Sequence, residues 1–132
     1  MNNIKTIIKN IEVKDWYDLL LRKEKYSHYI DQPLEYQVKY IQSELNELLA
    51  WIENNDKNNI KEEVTDVIYN TMQLLQSLLK KGLIDEETIK NSGKNQYMKI
   101  VKRQPQIKHQ YKTKTYKEEC DLFFKNKWWK SE

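Results

Sequence analysis

Apolar residues recur along most of the chain at intervals of three and four, the spacing that gathers them on one side of an α-helix. Leu34, Val38, Ile41, Leu45, Leu48 and Ile52 follow one another at steps of 4, 3, 4, 3 and 4. This pattern predicts a long helix ending near Glu53. Asp31-Gln32-Pro33 marks its start, with Asp as N-cap and Pro in the first turn. A polar turn, NNDKNN, covers residues 54–59. Ile60, Val64, Val67, Thr71, Leu74, Leu75 and Leu78 then predict a second helix from about Lys57 to Lys81. Gly82 ends it, after two lysines that suit a helix C-terminus. Upstream, Ile4, Ile7, Ile8 and Ile11 predict a short helix within Asn2 to Val13, and Asp15 caps a segment running to about Tyr29. Downstream, Asp85 caps a helix that breaks or bends near Ser92-Gly93 and ends before Pro105. Gln106 to Thr115 reads as a loop. Tyr116 to Trp129 reads as a last helix, with Leu122 and Phe123 inside. No internal repeat or long low-complexity linker interrupts the chain. The expectation is an all-α fold with an antiparallel helical hairpin at the centre of a four-to-five-helix subunit.

Composition sharpens this picture. The 132 residues suit a single domain over 1–132. Only two Gly and two Pro occur, which favours helices over a sheet rich in tight turns. The chain is 39% hydrophobic and 33% charged, so a monomer would have a thin core and self-association is expected. One cysteine, Cys120, excludes an internal disulfide framework. With no apolar run suited to export, and none near the roughly 20 residues of a membrane span, the sequence points to a reducing cytoplasm and to no membrane partner. Residues 1–93 hold 12 basic and 16 acidic residues, a net of −4, whereas residues 94–132 hold 11 and 4, a net of +7. An acidic body followed by a basic region suits a metal-plus-polyphosphate ligand, and also a nucleic-acid tail.

The acids of the central hairpin stand out. Glu44 and Glu47 lie roughly 100–150° to one side of the first apolar stripe, and Glu63 and Asp66 lie on the same rotational side of the second. Asn70 follows one turn later. In an antiparallel hairpin with facing stripes, equal offsets of one hand put all four carboxylates on one edge. Register agrees, since Glu47 and Glu63 are equidistant from position 55, as are Glu44 and Asp66. Four acids together repel, and the neighbours Tyr40, Asn46 and Asn70 are uncharged. A divalent cation relieves the repulsion, and carboxylate oxygens suit Mg²⁺ or, as a substitute, Mn²⁺. The alternative is an ordinary solvated helix face.

These residues bear a resemblance to a known family. Glu44-x-x-Glu47 followed by Glu63-x-x-Asp66 resembles the ExxE…ExxD signature of the MazG-like nucleotide pyrophosphohydrolases, members of the all-α NTP pyrophosphatase group. IKEEVTDVIYN, Ile60 to Asn70, is similar to the family's L-x-EELGDLL helix. KIVKRQPQI, Lys99 to Ile107, is similar to its K-x-x-RRHPHV segment, with Lys99, Lys102, Arg103 and Pro105 in the matching places. The likeness covers about residues 30–107, and a basic arm, about 108–132, follows it. Departures fall at Ser43, Thr65, Gln104 and Gln106, where the family often has Glu, Gly and two His. Tyr29-Ile30-Asp31-Gln32 stands where many members carry Cys-Pro-Trp-Asp. These changes leave the acid set intact and bear on base specificity.

The resemblance implies Mg²⁺-dependent hydrolysis of a nucleoside triphosphate, ribo or deoxy, to the monophosphate and pyrophosphate. Glu44, Glu47, Glu63 and Asp66 would hold metal, and Glu47, or else Glu44, would take a proton from the attacking water. Lys99, Lys102 and Arg103 would bind the polyphosphate, and Asn70 the sugar or base. It also implies a homodimer or a dimer of dimers, in which paired hairpins complete the bundle. Two other readings fit the sequence. One is a nucleotide sensor without turnover. The other is a helical module whose basic C-terminal region from Lys94 onward, with Tyr111, Tyr116 and the lysines between them, holds nucleic acid; Trp128 and Trp129 suit packing on a partner.

Overall fold

The computed structural model describes residues 3–127; Trp128 and Trp129, at the end of the expected last helix, lie outside them, as does Asn2. The described residues form helices α1 (Ile4–Lys9), α2 (Val13–Tyr26), α3 (Leu34–Glu53), α4 (Lys57–Lys80), α5 (Glu86–Lys90), α6 (Ser92–Arg103), α7 (Pro105–Lys108) and α8 (Tyr116–Lys127). Five of them, α2, α3, α4, α6 and α8, run to 12 residues or more, and no strand is found among the described residues. The fold is all-α, as the periodicity indicates. None of the helices is long and apolar enough to cross a membrane.

Helix ends follow local chemistry. Asp56 caps α4, its carboxylate accepting from the Asn59 N–H at 3.2 Å. Gly82 closes that helix with φ +72°, while Leu83 N–H donates to the Leu78 carbonyl and Gly82 N–H to the Leu79 carbonyl, a Schellman motif. α5 stops at Lys90 and α6 begins at Ser92, where a break was expected. Three ends differ from expectation. α2 starts at Val13, with Asp15 in its first turn rather than at its cap. Pro33 occupies the N-cap position of α3, and Asp31 instead pairs with Lys80 at 3.0 Å. Pro105 opens the short helix α7, which runs into the segment expected to be a loop, because its fixed φ and missing N–H suit a first helical position.

The chain divides into two compact units, Met1–Ile84 and Asp85–Glu132. In the first, α3 and α4 form the antiparallel hairpin, and α2 joins through Gln76, whose side chain donates to the Leu20 carbonyl at 3.1 Å and to Glu24 at 2.9 Å. Trp16 stacks on Tyr69, centroids 5.9 Å apart. In the second unit, α6 packs with α7 and α8.

The hairpin seam differs from a simple pair of facing apolar stripes. Its buried positions are polar: Gln37 and Glu44 on α3, and Glu63, Asn70, Gln73 and Ser77 on α4. Gln37 and Glu44 are seven residues apart, as are Glu63, Asn70 and Ser77, the interval that returns to one seam between two helices. Leu34, Ile41, Leu48, Val67 and Leu74 are half-buried, whereas Val38, Leu45, Leu49, Ile52, Val64 and Ile68 are exposed. On α3 the open apolar set is turned roughly a quarter turn away from the seam. Ile30, in the turn before α3, is the one hydrophobic side chain fully buried among the described residues.

Hydrogen bonds satisfy most of this polar seam. Gln37 Nε2 donates to the Gln32 carbonyl at 3.0 Å and the Tyr29 carbonyl at 3.3 Å, holding the turn before α3. Ser77 Oγ donates to Gln37 Oε1 at 2.7 Å. Gln73 Nε2 donates to Asn70 Oδ1 at 2.9 Å, and Asn70 Nδ2 donates to the Asp66 carbonyl at 2.8 Å. Each donor or acceptor left unpaired here would cost about 1–3 kcal/mol, so these bonds hold the amides of Gln37, Asn70 and Gln73 in place beside the acid cluster.

Candidate metal centre

Glu44 sits in the middle of α3, and Glu63 and Asp66 sit in the N-terminal half of α4. One carboxylate oxygen from each of these three lies within 4.8 Å of the others. Glu47, one turn beyond Glu44, is exposed and close enough for its charge to act on Glu63. Three of the four acids singled out from the sequence therefore meet within that distance, and Glu47 stands beside them. Their setting differs from the expected solvent edge: Glu44 and Glu63 are buried in the seam at 7% and 6% exposure, with Glu47 on the open side.

Burying like charges is costly, and the electrostatics show it. Glu63 is pushed from its ordinary 4.5 up to about 8, first by its hydrogen bond with Glu44, then by burial and by the negative charge of Glu44 and Glu47. At neutral pH the Glu63 carboxyl of the metal-free protein therefore keeps its proton. Tyr40, one turn before Glu44, is pushed up to about 12, chiefly by the Glu44 carboxylate beside it and then by burial. Tyr29 feels the Glu44 charge too, and burial raises it.

The residues fit a divalent cation. Glu63 Oε1 is buried and has no hydrogen-bond partner. An orphaned carboxylate oxygen beside two further carboxylates is a donor set of hard oxygens, suited to Mg²⁺ or Mn²⁺.

The remaining candidates divide between the two units. Asn70 is buried one turn after Asp66, with its Oδ1 and one N–H already engaged within the seam. Lys99, Lys102 and Arg103 lie at three- and four-residue spacing on α6, in the second unit, with Lys99 exposed and the other two half-buried. Gln106 is buried on α7, and its Oε1 has no hydrogen-bond partner. Tyr29, Gln37, Gln73 and Ser77 were missed as parts of this region, and Tyr40 entered only as an uncharged neighbour. The signal for the seam was present as polar residues recurring at sevens. It was masked by the more conspicuous apolar steps of three and four.

A wholly helical chain with an oxygen-donor centre on its central hairpin defines the class. The family model for the MazG nucleotide pyrophosphohydrolase domain matches residues 32–108, and the chain belongs to that family. Its fold is similar to the crystal structure of a MazG-related protein from Thermotoga maritima, with a TM-score of 0.68 at 20% identity, over 86% of this chain and 97% of that one. No curated protein matches the chain significantly.

Proposed function

We propose that this protein hydrolyses nucleoside triphosphates, ribo or deoxy, to the monophosphate and pyrophosphate with the help of Mg²⁺, for which Mn²⁺ can substitute. The observation that carries this reading is the buried carboxylate cluster with its orphaned Glu63 oxygen, on the hairpin of a chain in the MazG family. Glu44, Glu63, Asp66 and Glu47 hold the cation. When bound, the cation neutralises phosphate charge and acidifies a water. Glu47 is exposed beside the buried Glu44 and Glu63, so it is placed to take a proton from the attacking water, with Glu44 as the other candidate. Lys99, Lys102 and Arg103 supply positive charge for the polyphosphate. Asn70, whose amide is oriented by Gln73, keeps one N–H for sugar or base.

Self-association belongs to the same reading. With one fully buried hydrophobic side chain among the described residues and an open apolar set on α3 and α4, a homodimer or dimer of dimers would supply the missing core.

The test is a panel of NTPs and dNTPs, including dUTP and oxidised or methylated bases, incubated with Mg²⁺ and with Mn²⁺ and resolved into products. Monophosphate and pyrophosphate are expected, and both are lost in Glu47→Gln and Asp66→Asn. No turnover across the panel, or release of single phosphate, would overturn the assignment.

A further inference from the structure

The second unit carries more positive charge than one triphosphate needs. Residues 94–117 hold seven lysines and Arg103 and no acid. Like charges crowded into so short a run repel one another, and a polyanion relieves that repulsion. Tyrosines are interleaved with them. Tyr97 on α6, Tyr111 after α7 and Tyr116 at the start of α8 are each more than half exposed, so their rings are open to a partner.

One part of this surface is concave. The 111–114 loop and one face of α8 enclose a cleft of about 520 Å³. Tyr111, Lys112 and Lys114 line it from the loop. Glu118, Asp121 and Lys125 line it from α8, at the steps of three and four that share one helix face.

Hydrogen bonds hold both walls. Gln110, with φ +58°, turns the chain out of α7, and the Tyr111 N–H donates back to the Gln106 carbonyl at 3.0 Å. The Glu118 N–H donates to Thr115 Oγ1 at 3.2 Å, and Glu118 Oε2 accepts from the Lys114 N–H at 3.3 Å. The Glu118 carboxylate is thus engaged by the backbone. Three lysines against Glu118 and Asp121 leave the cleft positive by one charge.

An aromatic face beside ammonium groups selects among polyanions. A duplex keeps its bases stacked inside and presents phosphates and grooves. A single strand presents phosphates for the lysines and an unpaired base for the ring.

We propose that the cleft between the 111–114 loop and α8 binds single-stranded nucleic acid, with Tyr111 stacking on a base and Lys112, Lys114 and Lys125 pairing with phosphates. Binding there requires neither the carboxylates of the first unit nor turnover of a triphosphate.

A fluorescein-labelled 20-mer of deoxythymidine, titrated with the intact chain in EDTA and followed by anisotropy, tests this. Three phosphate contacts on a single strand predict a loss of affinity of about 20-fold between 50 and 200 mM salt. Tyr111→Ala should bind about tenfold more weakly, and Tyr111→Phe like the parent. Lys112→Glu with Lys114→Glu should also lose about tenfold. Lys5→Glu with Lys9→Glu makes the same charge change on α1 and should leave binding as it is. A duplex of the same length should bind more weakly than the single strand. Parental binding by Tyr111→Ala, or a duplex bound as tightly, overturns the proposal. Equal losses in the two lysine pairs overturn it in favour of attraction by net charge alone. No binding by the parent at 50 mM salt overturns it as well, and leaves the hydrolytic reading standing, because that reading is tested by its products.

Discussion

Glu63→Gln should make the metal-free protein more stable at alkaline pH while abolishing its metal response. Glu63 has a folded-state pKa of about 8 against an ordinary 4.5. Between those values the folded state holds a proton that the unfolded chain has released. Stability is therefore fully present below the ordinary value and is lost as pH rises through about 8. One such proton is worth about 1.4 kcal/mol per pH unit, so the interval from pH 5 to 8 has a ceiling of about 4 kcal/mol. The exposed Glu47 leaves the cluster open to water on one side, and solvent screening reduces this to about half, or about 2 kcal/mol. In a chain of this size this corresponds to a melting temperature difference of roughly 7 °C. Glutamine imitates the protonated acid, so the variant should lack this fall. Thermal melts in EDTA across pH 5 to 9 read it as the difference between variant and parent. Repeating the melts with Mn²⁺ should raise only the parent. A difference that stays constant with pH, or a variant less stable than the parent at pH 8, would refute the electrostatic account of the cluster.

Gly82→Ala should cost about 1 kcal/mol, read by urea unfolding: nothing lies within 4 Å of an added Cβ, so the left-handed φ of +72° alone sets the penalty. Leu49→Glu combined with Ile68→Glu places charge on two exposed apolar positions, at 54% and 49% exposure; light scattering should show the parent as a dimer or tetramer and the variant as a monomer, and a monomeric parent would contradict the proposed association. Lys99→Ala and Arg103→Ala should each raise KM for the triphosphate roughly tenfold, the loss expected for one charged hydrogen bond, with Mn²⁺ affinity unchanged by calorimetry.

Much of this molecule is legible in its sequence, for identifiable reasons. The hairpin follows from Asp56 as a cap, the polar turn and Gly82, each acting within a few residues of itself. The four acids follow from helical spacing and from symmetry about position 55. What spacing could not settle was which face of each helix turns inward. The apolar steps on α3 suggested that Val38, Leu45 and Ile52 face α4, yet these stay open, and Gln37 and Glu44 take the seam. Apolar periodicity reports which face must be buried somewhere; it does not say whether the partner is the next helix or another chain. For the same reason the acids are expected along one edge of the hairpin, whereas Glu44 and Glu63 lie inside, where their closeness to each other and then their burial perturb Glu63 and leave one of its oxygens without a partner. The edge contact between the Tyr29 and Tyr40 rings is not legible either, because it forms across a turn and leaves no motif.

The most direct test of the central claim is hydrolysis of the preferred triphosphate in ¹⁸O-labelled water, followed by ³¹P NMR. Attack at the α-phosphorus, directed by Glu44, Glu47, Glu63 and Asp66, predicts ¹⁸O in the nucleoside monophosphate, with unlabelled pyrophosphate. Label in pyrophosphate or in free phosphate, or no metal-dependent product at all, would contradict the account.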